Sequence, residues 1–124
     1  MCIEKFLKAI CLLAAVAISP GALAATFVQG DVFASTGNGA VSVYSNTGVF
    51  KTTLNTGLGG FTTGSTFDAS GNFYVTAFSA GQVAKFDPTG TLLTANWAPG
   101  IGLASPESIV FDASGNAYIG NAGA

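Results

Sequence analysis

Six residues, FDASGN, occur twice letter for letter, at 67–72 and again at 111–116, a spacing of 44. Two further registers agree with this one. AVSVYSNTGVF at 40–50 matches QVAKFDPTGTL at 82–92 with a spacing of 42, and GDVFAS at 30–35 matches GNFYVT at 71–76 with a spacing of 41. Three registers within three residues of one another define a repeat of about 42, with loop insertions absorbing the difference. A unit of that length cannot bury its own apolar face alone. It must stack on its neighbours, so the chain is restricted to an architecture of stacked units.

The content of each unit is short strands. STFD, NFYVTAF, QVAKF, TLLTA, SIVFD and NAYIG have strand length and β composition, and Gly-, Asn-, Asp- and Ser-rich steps separate them. No stretch after Ala25 carries a helical period over ten residues. The expected fold is all-β: four-stranded antiparallel meanders, the strand count of a β-propeller blade.

The recurring residues read as turn chemistry. DASG at 68–71 and 112–115, DPTG at 87–90 and the weaker copy SNTG at 45–48 each place an acceptor side chain first and Gly fourth. Asp68, Asp87 and Asp112 accept backbone N–H groups, and Pro88 pre-sets φ. Gly71, Gly90 and Gly115 take the left-handed conformation. Such a step closes a hairpin through a type I turn with a Gly bulge. The three aspartates are therefore turn caps rather than metal ligands. DASGNA places Ala and Gly where a calcium loop needs oxygen ligands, and GLGGFTTGS at 57–65 lacks the Asp of calcium-binding glycine repeats. No metal and no cofactor is expected.

PESIVFDASGNAYI at 106–119 resembles the core of an NHL repeat: Pro, a short apolar strand, Asp-x-x-Gly-Asn, then a second apolar strand. QVAKFDPTGTLL at 82–93 is similar to the second half of that repeat. The wider group includes streptogramin-lyase-like and gluconolactonase-like propellers. The resemblance implies that SIVFD is the innermost strand of a blade. The chain then holds three outer strands of one blade (31–54), one full blade (65–95) and the first two strands of a third. A ring needs at least four blades. Two to two and a half blades make an incomplete ring, the N-terminal part of a longer propeller or a truncated product.

The first 24 residues stand apart from the repeats. Lys5 and Lys8 precede an apolar run of ten residues at 9–18, and Pro20, Gly21 and an Ala22-Leu23-Ala24 box follow it. These are the three elements of a secretory signal peptide, with cleavage after Ala24 or Ala25. The run is too short to span a bilayer, which takes about 20 apolar residues. The expected division is a signal-peptide helix at 1–24 and a partial propeller at 25–124, in a secreted, periplasmic or envelope protein of a bacterium. Both cysteines, Cys2 and Cys11, fall inside the signal segment, so the mature chain has no disulfide and no thiolate chemistry. No membrane span is expected in it.

After the signal segment, Lys51 and Lys85 stand against five carboxylates, a net charge of −3, and the chain has no arginine. That excludes a phosphate-reading footprint, so nucleic acid is not an expected partner. The chain has no histidine, which removes the commonest general base and the Ser-His-Asp arrangement. Streptogramin-lyase activity, which the family derives from histidine, does not carry over. Glu107, Asp112 and Asn116 are the residue types with which gluconolactonase-like enzymes hold a metal, but no matching motif surrounds them.

Strand counting places any binding surface. In a meander successive turns alternate between the two ends of the sheet. The near-identical DASG and DPTG turns share one end, and the loops TGNG (36–39) and SAG (79–81) share the other with the longer, dissimilar loops NTGLGGFTTG (55–64) and NWAPGIGLASPE (96–107). Recognition residues concentrate on loops held by a rigid scaffold. Phe61, Phe78, Trp97 and Glu107 are therefore the candidates, facing an unknown ligand or protein. Trp97 has a second reading, as a seal between adjacent blades. The expected function is an exported propeller module for binding or scaffolding, with no catalytic chemistry in this segment. Two alternatives stand beside it: the N-terminal part of a lactonase or lyase whose site lies beyond residue 124, and a surface-anchored structural or adhesive protein. Remaining blades or self-association are expected to cover the open sheet faces.

Overall fold

The computed structural model describes residues 26–123. The segment at 1–24 expected to be a signal peptide lies outside the described residues. Among the described residues nine strands form three antiparallel sheets, each a simple up-and-down meander. The first has β1 (Val32–Ser35), β2 (Ala40–Tyr44) and β3 (Phe50–Asn55). The second has four strands, β4 (Thr62–Phe67), β5 (Phe73–Ala77), β6 (Gln82–Phe86) and β7 (Leu92–Thr94). The third has β8 (Pro106–Phe111) and β9 (Ala117–Asn121). The described residues are all-β, apart from a short 3-10 turn at Phe78–Ala80. Among the described residues the sheets do not close on themselves.

The middle sheet explains the burial pattern. All five residues of β5, FYVTA, are buried, because a sheet packs on each of its faces. Phe73 and Val75 point one way and meet Val41, Val43 and Leu54 of the first sheet, together with Ala84 and Phe86 of β6. Tyr74 points the other way, into a second cluster with Val83 and Ile109, flanked by Trp97, Leu103, Phe111 and Ile119. A strand buried on both faces reads as a continuous apolar run rather than an alternation. In β2, one face of AVSVY is the core side, and there Val41 and Val43 are fully buried while Ser42 on the opposite face is half-buried.

The same aromatic contact recurs between successive sheets. Phe33 meets Phe67 with ring centroids 5.2 Å apart, and Tyr74 meets Phe111 at 4.8 Å, both edge-on. In each case repeat-equivalent aromatics, Phe33 of β1 and Tyr74 of β5, pack on the Phe that precedes the next sheet's Asp turn. Phe27 adds to the first contact, edge-on to Phe33, Phe67 and Phe73.

Two boundaries differ from the sequence pattern. β4 begins at Thr62, before the STFD core, through a stretch with no apolar alternation. Pairing with β5 across a bulge holds it, and the buried Thr62 hydroxyl donates to the Ala40 carbonyl at 2.7 Å. The β5–β6 connection is a 3-10 turn closed by Gly81 at φ +64°, where the pattern shows only a loop.

Candidate binding surface

The turn end is made of four copies of one device. In each, the amide of the fourth-position Gly donates to the carbonyl of the first residue at 2.9–3.0 Å, and each Gly has φ of 80–85°. Asp68 Oδ1 accepts the backbone N–H of Ser70 and Asn72, both at 2.9 Å. Asp112 Oδ1 accepts those of Ser114 and Asn116 at 2.9 and 2.8 Å, and Asp87 Oδ1 those of Thr89 and Thr91 at 2.8 and 2.9 Å. Ser45 Oγ does the same work at the fourth turn, less tightly.

The second carboxylate oxygen extends the device beyond the six repeated letters. Asp68 Oδ2 accepts from the Asn72 amide at 2.8 Å and the Tyr74 hydroxyl at 2.9 Å. Asp112 Oδ2 accepts from Asn116 and Tyr118 in the same way, at 2.8 and 3.2 Å. Reading the repeat two letters further, as FDASGNFY and FDASGNAY, exposes the shared Tyr. Burial pushes the Asp68 carboxyl up, but the bonds from Asn72, Tyr74 and Ser70 outweigh it, so the group sits below its ordinary value of 3.8. Hydrogen bonds from Asn116 hold Asp112 low, and those from Thr89 and Thr91 hold Asp87 low. Both oxygens of Asp68 and Asp112, and Oδ1 of Asp87, are engaged within their own hairpins. Among the described residues no group of three or more His, Cys, Asp or Glu side chains converges as a metal site would.

At the opposite end the loops are tied to one another in sequence. Gly39 N–H donates to the Gly60 carbonyl at 2.7 Å, and Phe61 N–H to Ser79 Oγ at 3.2 Å. Phe78 N–H donates back to the Phe61 carbonyl at 2.9 Å. Phe61 and Phe78 are thus brought together, with Phe61 64% exposed and Phe78 half-buried. Glu107 is exposed at the loop end of β8, the strand that packs beside β4. A hydroxyl relay crosses here from the second sheet to the third, from Thr76 Oγ1 to Thr63 Oγ1 at 2.8 Å and on to the Pro106 carbonyl at 2.9 Å.

Trp97, half-buried like Phe78, packs inward. Its ring lies between Tyr74 at 4.9 Å and Phe111 at 5.9 Å, and its backbone N–H donates to the Val83 carbonyl at 2.8 Å. It is integral to the packing between the second and third sheets. Of the four candidates, Phe61 and Glu107 are exposed and Phe78 and Trp97 are half-buried, Trp97 packing toward the third sheet.

Two features of the turn end were not legible in the pattern. An open cavity of about 290 Å³ lies there, lined by Phe27, Val28, Gln29, Phe67, Ser70, Gly71 and Pro88. Phe27 precedes the first repeat, and nothing in the period marks it. The second feature is an ion pair between Lys51 and Asp31, whose side chain is 1% exposed. Hydrogen bonding to Lys51 and to Val28 N–H holds the Asp31 carboxyl below its ordinary value.

No protein-family model matches the chain, and no curated protein matches it.

Proposed function

We propose that this chain is an exported β-propeller repeat module of NHL type that binds or scaffolds through its loop end and carries no catalytic chemistry of its own. The observation that supports the reading most is repetition at the level of contacts. Successive sheets meet through repeat-equivalent aromatics, Phe33 and Tyr74, each against a pre-turn Phe, and their hairpins close through the same Asp or Ser device. Units joined by one repeated interface form an extended scaffold on which dissimilar loops share one end. The N-terminal basic–apolar–small pattern supports export.

The test uses the full chain, expressed with its leader and collected after export, on a peptide array and a glycan array. Binding that Phe61→Ala and Glu107→Ala weaken at unchanged melting temperature is the expected result. Binding untouched by those changes but abolished by Ser70→Ala or Thr89→Ala moves the site to the turn end and its cavity. No binding to either array counts against a recognition role.

A further inference from the structure

We propose that this chain associates with further copies of itself front to back, the third sheet of one copy stacking on the first sheet of the next through the kind of face-to-face contact that joins successive sheets within the chain. Each sheet has a forward face, turned to the sheet that follows, and a rear face. The forward face of the first sheet, with Val41, Val43 and Leu54, packs on the rear face of the second, which presents Phe73, Val75 and Phe86. The forward face of the second sheet, with Tyr74 and Val83, packs on the rear face of the third, which presents Ile109, Phe111 and Ile119.

One face of each type stays open among the described residues. With the spacing of 44, Tyr118 stands on the third sheet where Tyr74 stands on the second. Its cross-strand partner is Val110, and both are more than half exposed. With the spacings of 41 and 42, Val32 and Tyr44 stand on the first sheet where Phe73 and Phe86 stand on the second. Val32, Tyr44 and Phe50 form one row across β1, β2 and β3, with the Tyr44 and Phe50 rings 5.7 Å apart. Phe73 and Phe86 are buried under the first sheet, whereas Val32 and Phe50 are more than half exposed.

The open forward face is prepared for burial. The Tyr74 hydroxyl donates to Asp68 within its own hairpin, and that bond lets the residue sit 3% exposed without stranding a polar group. Tyr118 makes the same bond to Asp112 while it is still exposed. Covering its ring removes apolar surface from water and leaves no donor unpaired. Neither the Val110–Tyr118 pair nor the Val32–Tyr44–Phe50 row contains a charged residue, so stacking the two desolvates no ion within them.

These faces select the partner. A molecule that fits the forward face must present a rear face of this type, and one that fits the rear face must present a forward face. This chain presents both. Because the two faces differ, the contact is heterologous. Each pairing leaves one free face of each type, so association runs past the dimer to rings or filaments.

The experiment uses the full chain and two double variants that each disable one face. Val110→Ser with Tyr118→Ser removes the forward face, and Val32→Ser with Phe50→Ser removes the rear face. In sedimentation over a concentration series the parent should pass beyond the dimer, and each variant alone should be a monomer. Mixed in equal amounts, the two variants should form a discrete heterodimer, because one supplies an intact rear face and the other an intact forward face. Where a double variant melts below the parent, the single changes Tyr118→Lys and Phe50→Lys, both at exposed positions, repeat the mixing test. Ligand capture at the loop end is read separately, through Phe61→Ala and Glu107→Ala, so either reading can fail without the other. A parent that is monomeric at every concentration overturns the proposal. So does a single-face variant that dimerises on its own, or a mixture of folded variants that remains monomeric.

Discussion

At Gly115 a Cβ would meet nothing within 4 Å, yet φ is +84°, so an alanine there isolates the conformational cost of the turn. Gly115→Ala should lower stability by about 1 kcal/mol in a urea titration, the cost of a left-handed L-residue. Gly71 has φ +80° and lies beside Pro88, whose Cγ is 3.6 Å from the position of a Cβ. Gly71→Val should therefore cost slightly more, roughly 1–2 kcal/mol. A neutral result at both sites would contradict the turn geometry. The aspartates that cap these turns set the acid limit of the fold. Asp31, Asp68, Asp87 and Asp112 are all held below 3.8. A carboxyl lowered on folding contributes stability above its unfolded pKa and loses it as pH falls through the folded value. Stability should thus be level from neutral pH to about pH 5 and fall below 3.8, which urea midpoints against pH will show. The two tyrosines of the repeat separate the hydrogen bond from its burial. Tyr74→Phe removes a donor to Asp68 in a buried setting and should cost about 1 kcal/mol. Tyr118→Phe, at an exposed ring, should stay within about 0.5 kcal/mol.

The strands repeat closely, and the connections do not. Tyr44↔Phe50 and Phe86↔Leu92 are partners one repeat apart, each just after a one-residue register shift beside a turn. That regularity follows from turn residues alone, because a Gly in the left-handed conformation dictates the bulge beside it. The connection from β7 to β8 behaves otherwise. It sends Trp97 back between two sheets, where its ring meets Tyr74 and Phe111. Trp97→Ala should destabilise the protein by about 3 kcal/mol, the lower end of the range for a buried aromatic, because the ring is half-buried. Thermal melting decides this. A variant that melts like the parent would return Trp97 to the recognition surface.

Across the whole molecule the open sheet faces are the outstanding feature. The cross-strand pair Val110 and Tyr118 on the third sheet is 57% and 58% exposed, whereas the corresponding Tyr74 of the second sheet is 3% exposed beneath its neighbour. On the outer side of the first sheet Val32 pairs with Tyr44 and Tyr44 with Phe50, and Val32 and Phe50 are more than half exposed. Apolar sheet faces of this kind call for further units or a second copy. Sedimentation of the full chain should show concentration-dependent association, weakened by the double change Val110→Ser, Tyr118→Ser. A monomer at all concentrations with cooperative melting would oppose this reading.

The period, the strand cores and the turn sites were legible in the sequence because local chemistry decides them. Asp, Gly and Pro at fixed steps constrain φ and backbone donors within five residues, whatever surrounds them. Apolar runs of strand length were equally plain. Their sharing among sheets was set by where the loops let each meander end. Contacts between units needed the tertiary structure. Whether Trp97 lies on a loop or in a core depends on the distance to Tyr74 and Phe111, residues 23 and 14 positions away. The Asp31–Lys51 pair, the place of Phe27 and the cavity beside Pro88 likewise join segments far apart in the chain. No periodicity records such meetings, because they arise only when separate meanders stack and exclude water from the faces between them.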